Sequence, residues 1–588
     1  MARFGSTYLD SLPGGNGSAG TVFKMEGIRE FQSTQSGADS PKLPFPIGWI
    51  PSFDLADQGD DQEIYRHNIR INTGLARDDY SDVMEMCKLF SMSGQALEDA
   101  APGVIDVDRW TRQFATLSLC GINDTYSQGN PHNLNFYARP DGLVEPMPWD
   151  WDFTFNRGAT SSLWGNRNVA KLFARPVYTR LFHGHLRDIV NTTYNTGYLT
   201  EWFTHLGTCS GEGYTGNLSY VTQRGNHVLS QLPAQVPFNI TSNGGSNFSV
   251  NGSTALLVGN GWIDVREVFV NGQPDPIPVT WTDANSWQIA VPVAPGANAL
   301  TLTAINHQGE QVGSDTITVT NTSPVEPAST DNLALSEIHY HPAGDLAEEF
   351  VELQNIHPTA TIDLTGVMFT NGLDFEFPGG TTIPPGDRLL IVQDIPTFNA
   401  KYGAGLPIAG AFENLTQLAN NGERLRLEAP GGVAIRDFTY DDKQPWPESP
   451  DGAGASLVLI APDTDPDHAL PQSWRPSTAT GGNPGATDAT TFPGGDLISY
   501  ALAGGTPSTS IDLAGHVVFT FPRELAADDL IFGVETSVDL ETWIVEPAAI
   551  AFDSIIDLGD GSALMSYRTT NPATQKAHWY VRLLISER

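Results

Sequence analysis

The most chemically suggestive stretch of the sequence is EPMPWDWDFTFNRG, residues 145 to 158, in which Asp150 and Asp152 stand one residue apart between two tryptophans. A run this apolar is expected to be buried, and a buried carboxylate is costly unless a positive group pairs with it. The run contains no Lys or Arg before Arg157. The sequence therefore predicts that something outside the run neutralises the two carboxylates.

The neighbouring segments suggest what that partner is. LNFYARP and LVEPMPWDW read as two strands around a PDG turn, which predicts a hairpin. In an alternating strand Asp150 and Asp152 face the same side, and Asp124 and Asn133 lie in the loop before the first strand. These four side chains offer only oxygen ligands, so the sequence predicts a site for Mg²⁺ or Mn²⁺.

A structural interpretation of the same pattern stands beside the metal site. An Asp-x-Asp pair can cap turns and accept hydrogen bonds from backbone amides. The order along the chain favours chemistry, because a helix, an Asp loop, an Asn, a hairpin and a final Asp follow one another as they do in protein kinases. In those enzymes the first Asp accepts the hydroxyl proton, while the Asn and the last Asp hold metal ions.

The loop that carries Asp124 follows a predicted helix in IDVDRWTRQFATLSLCGIND. Asp106 is placed to cap the first turn of this helix, and Gly121 is placed to end it. Apolar residues recur at helical spacing and predict a buried stripe of Val107, Trp110, Phe114 and Leu117.

The composition excludes some classes of partner. The chain of 588 residues has 31 Lys and Arg against 68 Asp and Glu, a net charge of -37 that would repel nucleic acid and anionic lipid. No segment approaches the roughly 18 consecutive apolar residues of a membrane helix. Cys87, Cys120 and Cys209 form neither a disulfide framework nor a metal-ligand spacing, and we interpret them as buried small hydrophobes.

The chain is long enough for about three to five domains of roughly 100 to 200 residues each. Helical periodicity dominates residues 60–230, whereas short alternating runs separated by Gly and Pro turns fill the rest. Pro-rich joints near 231–237 and 320–332, and a softer one at 476–495, separate the parts. The predicted limits are 1–236 for an α+β core, 237–322, 331–487 and 488–588 for three all-β modules, and 323–330 for a linker.

The block HNLNFYARPDGLVEPMPWDWDFTF resembles the signature of the CotH kinase family, atypical protein kinases named after a spore-coat protein. Members read roughly Asp…Asn-x-x-x-Tyr…Pro-Trp-Asp-x-Asp, and the resemblance extends over about residues 1–232. It implies a kinase-like C-lobe that uses ATP with Mg²⁺ or Mn²⁺. It also implies that Asp124 is the catalytic base, Asn133 and Asp150 are metal ligands, and Asp152 is a further ligand or a support.

The start of the chain departs from that family. CotH kinases carry upstream strands of an N-lobe that cover the nucleotide, and this sequence begins after most of them. Lys24 in VFKMEG is the candidate to touch phosphate, with a solvent-exposed lysine at a strand end as the alternative. The resemblance therefore implies an N-terminally truncated core, which is either a clipped kinase or a degenerate domain that binds ATP poorly.

The three β modules resemble parts of secreted bacterial proteins. Residues 237–322 are similar to a bacterial immunoglobulin-like sandwich. Residues 331–487, which open LALSEIHYHPAGD and close SWRPSTATGGNPG, resemble a lamin-tail domain, an Ig-like sandwich. The last module, 488–588, resembles a β domain appended to secreted proteins. MARFGSTYLDSLPGG lacks the apolar stretch of a signal peptide, so a signal is expected upstream.

Together these features predict a secreted or cell-surface protein kinase that transfers the ATP γ-phosphoryl group to Ser or Thr of extracytoplasmic proteins. The alternative is a non-catalytic adhesion protein that binds a cell-surface ligand and keeps a degenerate kinase core. A metal-dependent phosphoesterase or nuclease is disfavoured, because no His or Lys is placed as a second general acid.

Other polar residues near the motif receive structural interpretations. His132 is expected to hydrogen-bond backbone rather than orient a phosphate, and Asn135 is expected to fill a strand rather than bind metal. His183 and His185 in RLFHGHLRD resemble a metal pair only superficially. With no third ligand nearby, both are expected at the surface.

Overall fold

An α+β region is followed by β-sheet modules, as the sequence predicts. The computed structural model describes residues 5–12, 19–25, 54–126, 133–165, 167–545, 548–572 and 579–588. The helices and short sheet that carry the candidate residues lie before residue 232, and β-strands dominate the described residues after it. The multidomain fold class, α+β and then all-β, is confirmed, while the module limits stay predictions.

By internal contacts the chain separates into two compact units. The first holds residues 1–242, 258–288 and 301–316. The second holds residues 243–257, 289–300 and 317–588. The strands of the first β module are therefore shared between the two units.

The α+β region combines one small sheet with a set of helices. The helices are α1 Ser6–Asp10, α2 Gln62–Asn68, α3 Ser81–Ser91, α4 Gly94–Val104, α5 Val107–Cys120, α6 Ala170–Phe173, α7 Pro176–Thr192, α8 Thr196–Ser210 and α9 Leu218–Gln231. The strands are β1 Thr21–Met25, β2 Ile69–Thr73, β3 Leu134–Ala138 and β4 Val144–Pro148. They form an antiparallel sheet in the order β2-β1-β3-β4.

The predicted stripe of α5 builds the core beneath this sheet. Trp110, Phe114 and Leu117 are buried and Val107 packs beside them, as predicted. The Trp110 ring stacks on Phe114 and, with a centroid separation of 6.1 Å, on Phe136 of β3. Helix α5 is thereby fixed against the hairpin that leads to Asp150.

The cysteines do not share one environment. Cys87 is buried, as predicted, whereas Cys120 is half-buried and Cys209 is exposed. The prediction is wrong for Cys209 because α8, which carries it, buries none of its residues. All three are free thiols.

The first β module consists of two four-stranded sheets. The strands are β5 Asn239–Ile240, β6 Phe248–Val250, β7 Thr254–Asn260, β8 Glu267–Val270, β9 Thr280–Trp281, β10 Ser286–Pro292, β11 Gly296–Ile305 and β12 Gln311–Asn321. The sheets have the orders β5-β7-β10-β9 and β6-β12-β11-β8. Trp287 is buried and stacks on Phe238, as expected of a tryptophan that fills a sandwich.

The second β module consists of three sheets and one helix. Its elements are β13 Glu326–Pro327, β14 Leu333–His339, β15 Phe350–Asn355, β16 Ile362–Asp363, β17 Met368–Asn371, β18 Phe375–Glu376, β19 Thr382–Ile383, β20 Arg388–Val392, α10 Ile395–Tyr402, β21 Ile408–Ala411, β22 Glu423–Glu428, β23 Ala434–Tyr440, β24 Leu457–Leu459 and β25 Trp474–Pro476. The sheets have the orders β21-β20-β15-β14-β24-β25, β13-β16-β19 and β18-β17-β22-β23. Strand β13 lies inside the predicted linker 323–330 and pairs with β16.

The last module opens with α11 Leu497–Ala501. Its strands are β26 Ser508–Ile511, β27 Val517–Glu524, β28 Leu530–Ser537, β29 Ile544–Val545, β30 Ile550–Asp557, β31 Ser562–Thr569 and β32 Tyr580–Glu587. They form sheets in the orders β26-β27-β31-β30 and β29-β28-β32. Across the described residues, no helix combines the length and apolarity needed to cross a membrane.

Candidate active site

Helix α5 begins and ends at the residues that the sequence predicts. The Asp106 side chain accepts a hydrogen bond from the Arg109 N–H at 3.0 Å. At the other end Gly121 has φ +60°, and a Cβ there would lie 1.9 Å from the Tyr220 hydroxyl oxygen. Only glycine fits this turn, which directs the chain into the loop that carries Asp124.

Asn133 ties that loop to the start of the hairpin. Its side-chain Nδ2 donates to the Asp124 carbonyl at 2.9 Å and lies 3.5 Å from the Asp124 carboxylate. Thr125 donates through its hydroxyl to the Asn133 carbonyl. Asn133 is buried at φ +55°, and its Oδ1 accepts no hydrogen bond from the residues that the structure describes. One oxygen of Asn133 is therefore left for a ligand.

The hairpin forms as predicted, but Asp150 and Asp152 do not lie on it. Strand β4 ends at Pro148, opposite Leu134, and Asp150 adopts φ +55°. The expectation that both aspartates face one side of an alternating strand is therefore wrong, because the left-handed residue turns the chain out of the sheet. Asp and Asn adopt this conformation more readily than other residues with a side chain.

The carboxylates of the motif are also not buried. Asp150 and Asp152 are both exposed, while Trp149 and Trp151 are half-buried. No side-chain hydrogen bond or ion pair connects either aspartate to another described residue. Water can solvate both carboxylates, so the cost of burial that the sequence suggested does not arise here.

The buried carboxyl of this stretch is Glu145 instead. It lies on β4 opposite Tyr137 and is 3% exposed. Burial raises the pKa of Glu145 to about 7, and the positive charge of Arg109 opposes this rise. No role was predicted for Glu145, because an isolated glutamate in an alternating strand is typical of a solvent-facing position.

The segment after Asp152 is fastened to the end of α5. The Phe155 N–H donates to the Cys120 carbonyl at 2.7 Å, and the N–H groups of Asn156 and Arg157 both donate to the Gly121 carbonyl. Phe155 has φ +65°. The Asp124 loop and the Asp150 segment thus share one anchor at the C-terminus of α5.

Arg224 of α9 reinforces this anchor and was missed by the sequence reasoning. It is 1% exposed, and it donates to the carbonyl and hydroxyl of Ser118 and to the carbonyls of Ala159 and Ser161. Burial lowers the pKa of Arg224. Its spacing three residues after Val221 and four before Val228 places it on the buried stripe of α9, a signal that the sequence contains.

Lys24 lies near the turn that carries Asp150. It is a half-buried residue of β1, paired with Arg70 of β2 and Asn135 of β3. Its ammonium nitrogen lies 5.1 Å from the centre of the Trp149 ring. A cation is therefore held beside the residue that precedes Asp150.

The described residues contain no group of three or more His, Cys, Asp or Glu side chains arranged to hold a metal ion. The structure brings Asp124 and Asn133 together but does not gather Asp150 and Asp152 with Asp124 into such a group. The donors nevertheless suit Mg²⁺ or Mn²⁺, because these ions use one or two carboxylates and complete their shell with water and substrate phosphate. Asp150, Asp152 and the free Oδ1 of Asn133 are oxygen ligands of that kind.

The predictions for the other polar residues near the motif do not all agree with the structure. His132 lies outside the described residues. Asn135 is completely buried, and neither polar atom of its side chain has a hydrogen-bond partner among the residues that the structure describes. His183 is half-buried and His185 is completely buried, where its Nε2 lies 2.9 Å from the Asp108 carboxylate. The surface interpretation of His185 is wrong because α7 packs that side of the ring against α5.

Family models match two parts of the chain. Residues 50–206 match the family described as CotH kinase protein, and residues 326–442 match the Lamin Tail Domain. A CotH kinase core is thus followed by a lamin tail domain, which confirms both resemblances. Asp124, Asn133, Asp150 and Asp152 lie inside the first match, and Lys24 lies outside it.

Comparisons with whole proteins add little. Among curated proteins, none matches this chain. Solved structures similar in part include a DUF4784 family protein from Bacteroides caccae, with 12% identity, 60% of this chain and 84% of that chain covered, and a TM-score of 0.16. An ICAM-5 ectodomain fragment has 9% identity, coverage of 60% and 77%, and a TM-score of 0.11.

A third solved structure is SGBP-B of the Bacteroides ovatus mixed-linkage glucan utilization locus, in complex with a mixed-linkage heptasaccharide. It is 12% identical, with 55% of this chain and 72% of that chain covered and a TM-score of 0.10. Likenesses at these TM-scores carry no argument about fold or function.

Proposed function

We propose that the N-terminal core is a phosphotransferase that moves the γ-phosphoryl group of ATP to a Ser or Thr hydroxyl of an extracytoplasmic protein. The observation that carries the proposal is the state of Asp150. It is exposed, has no hydrogen-bond or ion-pair partner among the described residues, and is held at a left-handed φ within the segment that matches the CotH kinase family. Such backbone conformations are costly and recur at functional sites.

The proposed roles follow from the place of each residue in the CotH kinase signature and from the chemistry of its side chain. Asp124 accepts the proton of the Ser or Thr hydroxyl, and the hydroxyl oxygen bonds to the γ-phosphorus of ATP. The bond between the γ-phosphorus and the oxygen that bridges it to the β-phosphorus breaks, which releases ADP. Asn133, through the Oδ1 that accepts no hydrogen bond from the described residues, and Asp150 and Asp152, through their carboxylates, would hold Mg²⁺ or Mn²⁺. When bound, the metal neutralises charge on the phosphates. Lys24 contacts a phosphate from β1.

The positions of Asp124 and Asn133 support the proposed roles of base and metal ligand. The Asn133 amide donates to Asp124, which fixes the loop that carries the base and turns Asn133 Oδ1 away from that contact. The shared anchor at Cys120 and Gly121 holds the Asp150 segment to the same helix end. A site built from two loops on one rigid helix keeps its geometry when substrate binds.

The alternative is a non-catalytic surface protein with an inherited core. The observation in its favour is that the described carboxylates do not assemble into a metal-ligating group. In that case the lamin tail domain and its neighbouring modules carry the binding function at the cell surface. We propose an extracellular or cell-surface location for the protein whether it is a phosphotransferase or a non-catalytic surface protein.

Phosphoryl transfer by the full chain separates the two. Autophosphorylation from γ-labelled ATP and Mg²⁺ is measured for the wild type, Asp124→Asn and Asp150→Asn, with Asp141→Asn as the control. Asp141 is an exposed aspartate at the turn of the same hairpin. We expect each site variant to lose on the order of 10²-fold or more in rate, and the control to match the wild type. A wild type that transfers no phosphate favours the adhesion reading.

A further inference from the structure

A second site is suggested by Arg180, which lies on α7 and is not part of the motif. Its side chain is 4% exposed, and its guanidinium carbon lies 3.2 Å from the centre of the Trp281 ring. Nη2 donates to the carbonyls of Trp262 and Val265, both at 2.8 Å. These contacts join α7 to the loop before β8 and to β9.

The guanidinium has donors left over. Its Nε is buried without a hydrogen-bond partner, and its Nη1 donates to none of the described residues. Arg180 forms no ion pair within the described part of the chain, because the nearby Asp264 faces Arg187, 3.7 Å away. Burial lowers the pKa of Arg180 only to about 9, so the group is still charged at neutral pH.

A buried cation with unused donors needs an explanation. Most buried polar groups in proteins are paired, and an unpaired charge at such a position is strongly unfavourable. The two carbonyls, the Trp281 ring and the nearby charge of Asp264 offset part of this cost, but none of them accepts a hydrogen bond from Nη1. A bound anion would accept one.

There is space for such a ligand. Arg180 lines a cavity of about 660 Å³, within the roughly 300 to 1,000 Å³ typical of small-molecule sites. The walls are mostly apolar and include Val177, Leu181, Ile263, Ile277 and Trp281. A few polar groups among apolar walls are the usual make-up of a site for an organic molecule.

Two further charges define what fits. Arg266 lines the same cavity and is paired with Asp108 at 2.8 Å, so it contributes a partly compensated positive charge. Glu267 also lines the cavity and repels any additional negative group. The combination favours a ligand with a single anionic group near Arg180.

We propose that this cavity binds a small organic anion, in which one carboxylate or phosphate monoester group is held by Arg180 and an apolar body packs on Leu181, Ile277 and Trp281. Either group can accept a charge-assisted hydrogen bond from Nη1, the donor that is neither committed to Trp262 and Val265 nor enclosed as Nε is. The site is separate from Asp124 and Asp150, and it does not depend on whether the core transfers phosphate.

The direct test is calorimetric titration of the full chain with three probes. 4-Phenylbutyrate supplies a carboxylate, hexyl phosphate supplies a phosphate monoester, and 4-phenylbutanamide is the neutral counterpart. We expect at least one anion to bind about tenfold or more tightly than the amide. The better of the two anions identifies the head group. Equal binding of all three, or no binding of either anion, overturns the proposal.

Variants locate the binding. Arg180→Gln is expected to weaken binding of the better anion by about tenfold or more. Because this change also removes the contacts to Trp262 and Val265, Leu181→Trp provides a second variant, which fills the cavity and leaves Arg180 in place. Leu181→Trp should abolish binding without loss of fold, as followed by circular dichroism.

Arg187→Gln is the matched control. Arg187 lies on the same helix and contacts the same β module through Asp264 and the Trp262 ring, but it does not line the cavity. It should bind the anion as the wild type does. If Leu181→Trp binds the anion normally, or if Arg187→Gln loses as much affinity as Arg180→Gln, the anion does not occupy this cavity and the proposal fails.

Discussion

The charges of the candidate active site and those of the second β module contrast sharply. Asp150 and Asp152 are exposed and form no ion pair within the described part of the chain, and Asp150 has a left-handed backbone. Glu352 and Arg475, in the second β module, are completely buried. Both regions are rich in acidic residues, so composition alone does not distinguish them.

The two regions differ in how many hydrogen bonds and ion pairs their charged groups form within the protein. Glu352 accepts hydrogen bonds from the Ser336 hydroxyl, from Arg388 and from the Gly485 N–H, at 2.6 to 2.7 Å. Arg475 is held by both carboxylate oxygens of Asp528 and by Asp488. Glu352 and Arg475 are paired within the protein and have a structural role. The exposed carboxylates of Asp150 and Asp152 are still able to bind a ligand.

The largest effect should come from breaking the buried network. Arg475→Leu leaves Asp528 and Asp488 buried with less compensation, so we expect the free energy of unfolding to fall by about 3 to 5 kcal/mol. Denaturant unfolding measures it. Arg424→Leu is the control, because Arg424 forms an exposed pair with Asp437 that is worth about 0 to 1 kcal/mol. Equal losses in the two variants would remove the distinction drawn here.

Glu337 should make the lamin tail region less stable at high pH. It faces Glu352 across strands β14 and β15, and Asp488 adds a further negative charge; burial and then Glu352 raise its pKa well above the usual 4.5. The proton it holds in the folded state stabilises the fold at low pH. That stability is lost as pH rises above about 4.5, by up to about 1.4 kcal/mol per pH unit.

Glu337→Gln should remove this dependence, since the amide cannot ionise. Ser456 and the Asn483 N–H, which donate to Glu337, keep an oxygen acceptor in the variant. Unfolding free energies at about pH 5 and about pH 8 provide the comparison. A wild type and variant with the same slope between these values would show that Glu337 is ionised in the folded protein.

His339 should make the protein less stable at low pH, which is the opposite of the effect of Glu337. It is completely buried, and burial lowers its pKa to about 3. The folded state therefore disfavours the protonated ring, and stability present above pH 6.5 is lost as pH falls. At about pH 5 the loss should be about 2 kcal/mol relative to neutral pH. In thermal unfolding His339→Leu should lose less stability than the wild type as the pH falls. An equal loss in the two proteins would contradict the lowered pKa of His339.

The smallest effect should be seen at Asp150. Its side chain forms no hydrogen bond or ion pair with a described residue, so Asp150→Asn should change the free energy of unfolding by less than about 0.5 kcal/mol. Asp150→Ala should cost about 1 kcal/mol, because alanine tolerates the left-handed conformation less well. Denaturant midpoints distinguish the two. A larger loss in Asp150→Asn would show that the carboxylate is structural after all.

Local signals predicted the elements, and long-range packing decided the rest. The Asp106 cap, the Trp110 stripe, the Gly121 end and the hairpin follow from residues near in sequence, and all form. The strand placement of Asp152 failed because alternation continues beyond the point where the chain turns. The burial of His185 depends on contact with α5, which no local pattern reveals.

Arg224 shows that some long-range information was present but unused. Its place on the apolar stripe of α9 marks it as buried, although the sequence does not say that its partners are Ser118 and Ala159. The same holds for Arg180 on α7. A charged residue on a predicted buried face is thus a sign of a long-range contact, and the partner has to come from the structure.

The most direct test of the central claim is Mn²⁺ binding to the full chain in the presence of ATP, followed by electron paramagnetic resonance. We predict that the wild type binds Mn²⁺ with ATP and that Asp150→Asn binds it about tenfold or more weakly, while unfolding of the two proteins is the same. Equal Mn²⁺ binding by the wild type and Asp150→Asn, or none by either, would contradict the account, because the exposed carboxylates would then have no role in holding metal.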